Sequence, residues 1–140
     1  MFKHEPQEVD LLIDSNFTES ADCSAAKTWL HEHHVNYNIV DVVTNLITAQ
    51  EIETWLRHTA LSNDAYINTT DAETRDKVAE MDHKQLANYL VEHLDIMRWP
   101  VLRVDRDVIT FGFDASVYAD NLTDLNTAYE KKENKNNNIY

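Results

Sequence analysis

Cys23 is the only thiol in this 140-residue chain. It follows Ser20 at S-x-x-C spacing, and an apolar run ending at Ile13 precedes both. Ala26, Trp29 and Leu30 then recur at helical spacing, which places Cys23 where a polar turn becomes a helix. In the first turn of a helix the positive end of the dipole favours the thiolate, the nucleophilic form of cysteine. A C-x-x-C pair supplies a second sulfur that closes or resolves a disulfide. Here Ser20 stands in that place. A hydroxyl is a far weaker nucleophile and cannot cycle through a disulfide, so no cysteine-type catalysis is expected from Ser20. Capping the helix is the simpler role for it. Cys23 is open to two readings of equal weight. One is oxidation to a sulfenic acid or a mixed disulfide with a small thiol; the other is inert packing as a small apolar residue.

Three further groups could do chemistry. His31 and His34 share a helix face at i, i+3, with His33 beside them. No carboxylate or cysteine at zinc spacing accompanies them. A solvated helix end with cations near its C-terminus explains them more simply, and no metal or other cofactor is expected. Trp29 and Trp55 fall on apolar helical stripes and are expected in the core. Lys131 to Lys135 is the only Lys-rich run, and Glu133 interrupts it.

The elements that must position these residues follow from length, charge and periodicity. One domain is the natural size for this length, and 43% hydrophobic residues suffice for a core. No apolar run approaches the ~20 residues that span a bilayer. There is no secretory leader, and a lone cysteine gives no internal disulfide, so a cytoplasmic protein is expected. A formal net charge of −13 repels nucleic acid and anionic lipid. We therefore expect no direct nucleic-acid binding and no membrane; any role in gene expression would run through another protein.

Along the chain, a loose arm is expected over residues 1–8 and a buried strand over Val9–Ile13. A helix follows from about Asp22 to His34. Val35, Tyr37 and Ile39 alternate with Asn36 and Asn38, which is strand-like and completes a right-handed β-α-β unit with parallel strands. Helices open at three capping boxes: Thr48 to Glu51, Thr70 to Glu73, and Asp82 to Gln85. They form an inserted helical layer over about residues 48–96, with a loop from Ala60 to Asn68. Trp99-Pro100 ends it. Val101–Val104 and Val108–Phe113 read as a hairpin turning at Asp105-Arg106-Asp107. Gly112, the only glycine, marks a bulge or a close backbone approach. Asp114 caps a last short helix to about Leu122, and residues 123–140 read as a disordered polar tail.

Four pieces in this order carry a family resemblance: C-S-A-A-K-T-W-L (Cys23 to Leu30), E-I-E-T-W-L-R-H-T (Glu51 to Thr59), M-R-W-P-V-L (Met97 to Leu102) and F-G-F (Phe111 to Phe113). Over roughly residues 11 to 120 the chain resembles the Spx/ArsC family. The resemblance implies an α/β, thioredoxin-like mixed sheet with an inserted helical layer, spanning residues 9–122. It implies one of two activities: reduction of arsenate by a cysteine, or regulation of transcription by binding the C-terminal domain of the RNA polymerase α subunit. In the regulators a C-x-x-C disulfide often acts as the switch.

Carried over by position, the reductase nucleophile falls on Ser20 and the second cysteine on Cys23. The family's Arg-Pro pair falls on Trp99-Pro100, with Arg98 one place earlier; that proline is commonly cis and faces the redox turn. An oxyanion needs a cationic clamp, for which arginine is suited, and Trp99 removes it unless Arg98 reaches round. The polymerase-contacting region falls around Arg57 and the loop to Asn68. Ser62 stands there for a family glycine, and Thr70 for a family arginine. The expected function is thus a Spx-like regulator in stress response. It would dock on polymerase α through Arg57, Ser62 and Thr70, without an internal disulfide switch and without catalysis. Abundance, or proteolysis of the tail, would control it. The alternative is a thiol-dependent reductase or thiol-transferase using Cys23 alone. A third reading is a relative that docks on a different protein.

Overall fold

The computed structural model describes residues 7–17 and 20–123. Four strands form one sheet: β1 (Val9–Ile13), β2 (Asn38–Asp41), β3 (Val101–Val104) and β4 (Asp107–Phe111), in the order β2-β1-β3-β4. β1 runs parallel to β2 and antiparallel to β3, so the sheet is mixed. All five residues of β1 are buried, as a central strand with both faces covered requires.

One face is covered by α1 (Ala21–Glu32) and α5 (Ala115–Tyr118), which bring Ala26, Trp29, Leu30 and Tyr118 onto Val9, Leu11, Leu102 and Val104. The other is covered by the inserted layer: α2 (Ala49–Thr59), α3 (Ala72–Ala79) and α4 (His83–Glu92). Ile52, Trp55, Leu56, Leu86 and Leu90 there pack with Leu12, Ile13, Val101 and Phe111. The expected thioredoxin-like α/β architecture with a helical insertion is present.

Local chemistry explains most boundaries. Ser20 caps α1, with its Oγ accepting from Cys23 N at 3.1 Å. At the other end, Val35 N donates to Leu30 O and His34 N to His31 O, with His34 in the left-handed region at φ +57°. This is a Schellman closure. It takes up the chain through Val35, so β2 begins at Asn38 rather than at Val35 as the alternation suggests. The Thr48–Glu51 box is reciprocal, with Glu51 N on Thr48 Oγ1 at 3.1 Å and Thr48 N on Glu51 Oε1 at 2.9 Å. The Asp82–Gln85 box is reciprocal too. The second expected box is not formed. Asp71, not Thr70, caps α3, its carboxylate accepting from Thr74 N and Thr74 Oγ1 at 3.0 and 2.6 Å. A carboxylate is the stronger acceptor and also suits the positive end of the helix dipole.

The Ala60–Asn68 stretch is more built than a bare loop. Asn63–Tyr66 forms a 3-10 turn, and Ile67 bridges to Met97. The buried Tyr66 hydroxyl meets Thr59 Oγ1, Leu61 N and Leu56 O, which closes the C-terminus of α2. The hairpin turns at Asp105 and Arg106, both at positive φ (51° and 76°), as a two-residue hairpin loop requires. The bulge lies between Leu102 and Arg103, where Thr110 and Val108 are the successive partners. Gly112, at φ +76°, answers instead to a close approach.

Of the expected arm, residues 1–6 lie outside the described residues, and Glu8 is tied to the hairpin through Asp105 (2.9 and 2.7 Å). Of the expected tail, residues 124–140, with the Lys131 to Lys135 run, also lie outside them.

One buried ion pair laces the sheet. Asp10, 4% exposed, receives Arg103 Nε and Nη2 at 3.0 and 2.9 Å and Asn38 Nδ2 at 3.1 Å, joining three strands. Asp10→Ala leaves a half-buried guanidinium unpaired, and urea unfolding will show a loss of about 3 kcal/mol. The Tyr118 hydroxyl is the opposite case: among the described residues it is buried without a hydrogen-bond partner. Tyr118→Phe removes an unsatisfied group, so it will hold or raise stability by about 1 kcal/mol in the same assay. Hydrogen bonds from the residues they cap or close hold Asp71, Asp114 and Asp41 below the ordinary carboxylate value, chiefly from Thr74, Ser116 and Val43 respectively. Their contribution is full above the unfolded value near 3.8 and disappears as pH falls through the lower folded values. An acid titration followed by circular dichroism will show the melting temperature falling across that range.

Candidate functional site

The turn between β1 and α1 holds the S-x-x-C residues. The Ser20 hydroxyl oxygen is engaged as the α1 cap, and among the described residues no side chain accepts its proton. Nothing there activates it as a nucleophile. Cys23 is 1% exposed and packs in the same core as Leu12, Ile13, Met97, Trp99 and Phe111. Its thiol is shielded from solvent. Asp22, one residue earlier, accepts from Phe113 N at 3.4 Å through its Oδ2. Burial pushes the Tyr118 phenol well above its ordinary value, with Cys23 and Asp22 adding to the shift.

The Trp99–Pro100 peptide bond is cis. Trp99 is buried, its indole Nε1 donating to Leu94 O at 2.8 Å. Pro100 is buried as well, and its carbonyl accepts from Gly112 N at 2.8 Å. Arg98 does not supply the cationic clamp. Its Nε donates to Ala65 O at 3.2 Å and its Nη2 to Ile67 O at 2.8 Å, while its own backbone N donates to Tyr66 O at 2.9 Å. The guanidinium thus points at the 3-10 turn of the insertion. Its stem lies over Gly112, where an added Cβ would stand 2.6 Å from Arg98 Cδ and 3.1 Å from Asp22 Oδ2.

The three expected partner-binding residues are all exposed. Arg57, on α2, pairs with Glu53 one turn back. Ser62 lines a shallow groove of about 560 Å³ with Asn63, Asp64, Arg75, Asp76 and Met81. Arg75 spans it, reaching Asp64 at 3.6 Å and Thr69 O at 3.3 Å. Neither Arg57 nor Thr70 lines that groove, so the structure does not gather the three into one pocket. Among the described residues no group of three or more His, Cys, Asp or Glu could hold a metal. His31 lies edge-on to Tyr37, and His33 stacks on Trp29. No helix among the described residues is long and apolar enough to cross a membrane.

Sequence reasoning missed two residues here. Arg98 appeared only as a substitute clamp, and Tyr66 not at all; both bond backbone carbonyls or amides, which leave no pattern of residue types. Arg98 had one usable signal, the only glycine standing in the F-G-F piece that must lie near the Pro turn.

No protein-family model matches the chain. Among characterised proteins it is 29% identical over 97 residues to the global transcriptional regulator Spx 2 of Bacillus cereus, covering 67% of this chain and 73% of that protein. Among solved structures it is similar to an ArsC-family-related protein of Bacteroides fragilis (TM-score 0.67, 19% identity, 81% of this chain and 97% of that one). It is also similar to a possible arsenate reductase of Streptococcus mutans (TM-score 0.61, 21% identity, 75% and 90%). The structures speak for the fold and the regulator for the sequence, and the ordered pieces from Cys23 to Phe113 lie on that shared fold. The sequence similarity to a Spx regulator and the fold shared with ArsC-related structures both support the Spx/ArsC resemblance carried by the ordered pieces.

Proposed function

We propose that this protein regulates transcription by docking on the C-terminal domain of the RNA polymerase α subunit, without catalysis and without an internal disulfide switch. The observation that carries the reading is the state of the S-x-x-C turn. Its hydroxyl is spent as a helix cap, its one thiol is buried, and the nearby arginine is bonded to backbone carbonyls. Arsenate chemistry needs a solvent-reachable thiolate and a free cationic clamp, and this turn offers neither. The similarity to a Spx regulator supports a partner in the transcription machinery, reached in the cytoplasm. The net charge of −13 favours a protein partner over bare nucleic acid. Arg57, exposed on α2, is the residue we assign to the docking contact, with Ser62 on the adjoining loop and Thr70 before α3.

Binding of purified polymerase α C-terminal domain from Bacillus cereus, measured by calorimetry, tests this directly. We expect binding of equal strength in reductant and in oxidant, retained in Cys23→Ser. Arg57→Ala will weaken it about tenfold, the loss typical of one interfacial arginine. No binding in either condition overturns the reading, and arsenate or disulfide turnover abolished by Cys23→Ser would replace it with the thiol-enzyme alternative. Because Cys23 is buried, its labelling by a bulky thiol reagent will be at least about a hundredfold slower in the native protein than in urea.

A further inference from the structure

We propose that Arg98 is the positioning residue of the docking loop, holding the Ser62-bearing segment to the cis-Pro side of the thiol turn; this rests on the docking reading above. The Asn63 amide and the Tyr66 hydroxyl tie the segment to the helices of the insertion, and its tie to the cis-Pro side is a separate one. From Ala60 to Asn68 it is largely polar and exposed, with only Tyr66 and Ile67 buried. Asn68 N donates to Ile96 O at 2.6 Å, and Arg98 N to Tyr66 O, so one strand-like bridge joins it to residues 96–98. Arg98 adds the side-chain contacts. One guanidinium donates to two carbonyls, of Ala65 and Ile67, on either side of Tyr66.

A planar fork suits this role: two of its donors meet acceptors two residues apart at once, which a lysine ammonium cannot do in the same geometry. Bonds from a charged donor to half-buried carbonyls are among the stronger hydrogen bonds. The stem is placed from behind. Gly112 leaves room for Arg98 Cγ and Cδ, which an added Cβ would approach to 2.8 and 2.6 Å. Asp22 closes the same spot, bonding Phe113 N next to Gly112. The thiol turn, the hairpin end and the docking loop therefore meet at one side chain. Here, with no second sulfur, the same contact acts as a fixed strut.

The test combines hydrogen exchange on the free protein with calorimetry against the α C-terminal domain. In Arg98→Met, the Asn68 and Arg98 amides will exchange about tenfold faster, while those of β1 and β3 stay unchanged. Binding will weaken about tenfold although Arg98 does not touch the partner, and Arg98→Lys will recover only part of both losses. Gly112→Ala lies outside the loop and crowds the stem, with added strain of its own at φ +76°, and will reproduce the pair of effects if Arg98→Met proves too unstable to study. Unchanged loop exchange in both variants overturns the inference, and so does faster exchange with full binding. If the wild-type protein does not bind, the docking reading fails and the functional half of this inference fails with it. The loop-holding half is then decided by exchange alone.

Discussion

The burial of β1 on both faces is the constraint from which the architecture follows. VDLLI has no solvent face, so hydrocarbon must be supplied from two sides of the sheet. α1 and α5 supply one and the inserted helices the other. The single charged residue of the strand, Asp10, is compatible with this only because Arg103 and Asn38 reach it from the two neighbouring strands. An unpaired carboxylate at that depth would cost more than one apolar contact returns. The same burial sends the chain out of the sheet at Ile13 directly into the turn that holds Ser20 and Cys23.

At that turn the fold keeps its shape while its reactive groups have structural partners. Ser20 caps, Cys23 packs and Trp99 fills core beside it. Arg98, the nearest cation, faces two carbonyls of the insertion. Each group is satisfied locally, and a satisfied group has little left to offer a ligand. Arg57 and Ser62 are exposed on the helical layer, where Ser62 borders the shallow groove beside Arg75.

Within the insertion, side chains make the polar contacts that join its parts. Asn63 Nδ2 reaches Val78 O and Met81 O, both at 2.8 Å, and the Tyr66 hydroxyl gathers the end of α2. These side chains replace backbone partners that a loop of this shape cannot find in a ladder. They make the Ala60–Asn68 stretch a defined surface instead of a bare connection between helices.

Periodicity and capping chemistry made most of the elements legible from residues alone: the central strand, α1, α2 with its reciprocal box, the hairpin and the missing sulfur at Ser20. Those signals are local, set within four or five residues by backbone sterics and dipoles. Where two local solutions competed, the sequence was ambiguous. The Thr70 box gave way to its neighbour Asp71, whose carboxylate is the stronger acceptor; the alternation from Val35 lost three residues to the closure of α1. The tertiary structure alone decided the direction of the Arg98 guanidinium, the crowding over Gly112 and the unpartnered Tyr118 hydroxyl. Arg98 meets carbonyls 31 and 33 residues away, and carbonyls belong to every residue. No pattern of side-chain types encodes which of them a folded chain will present.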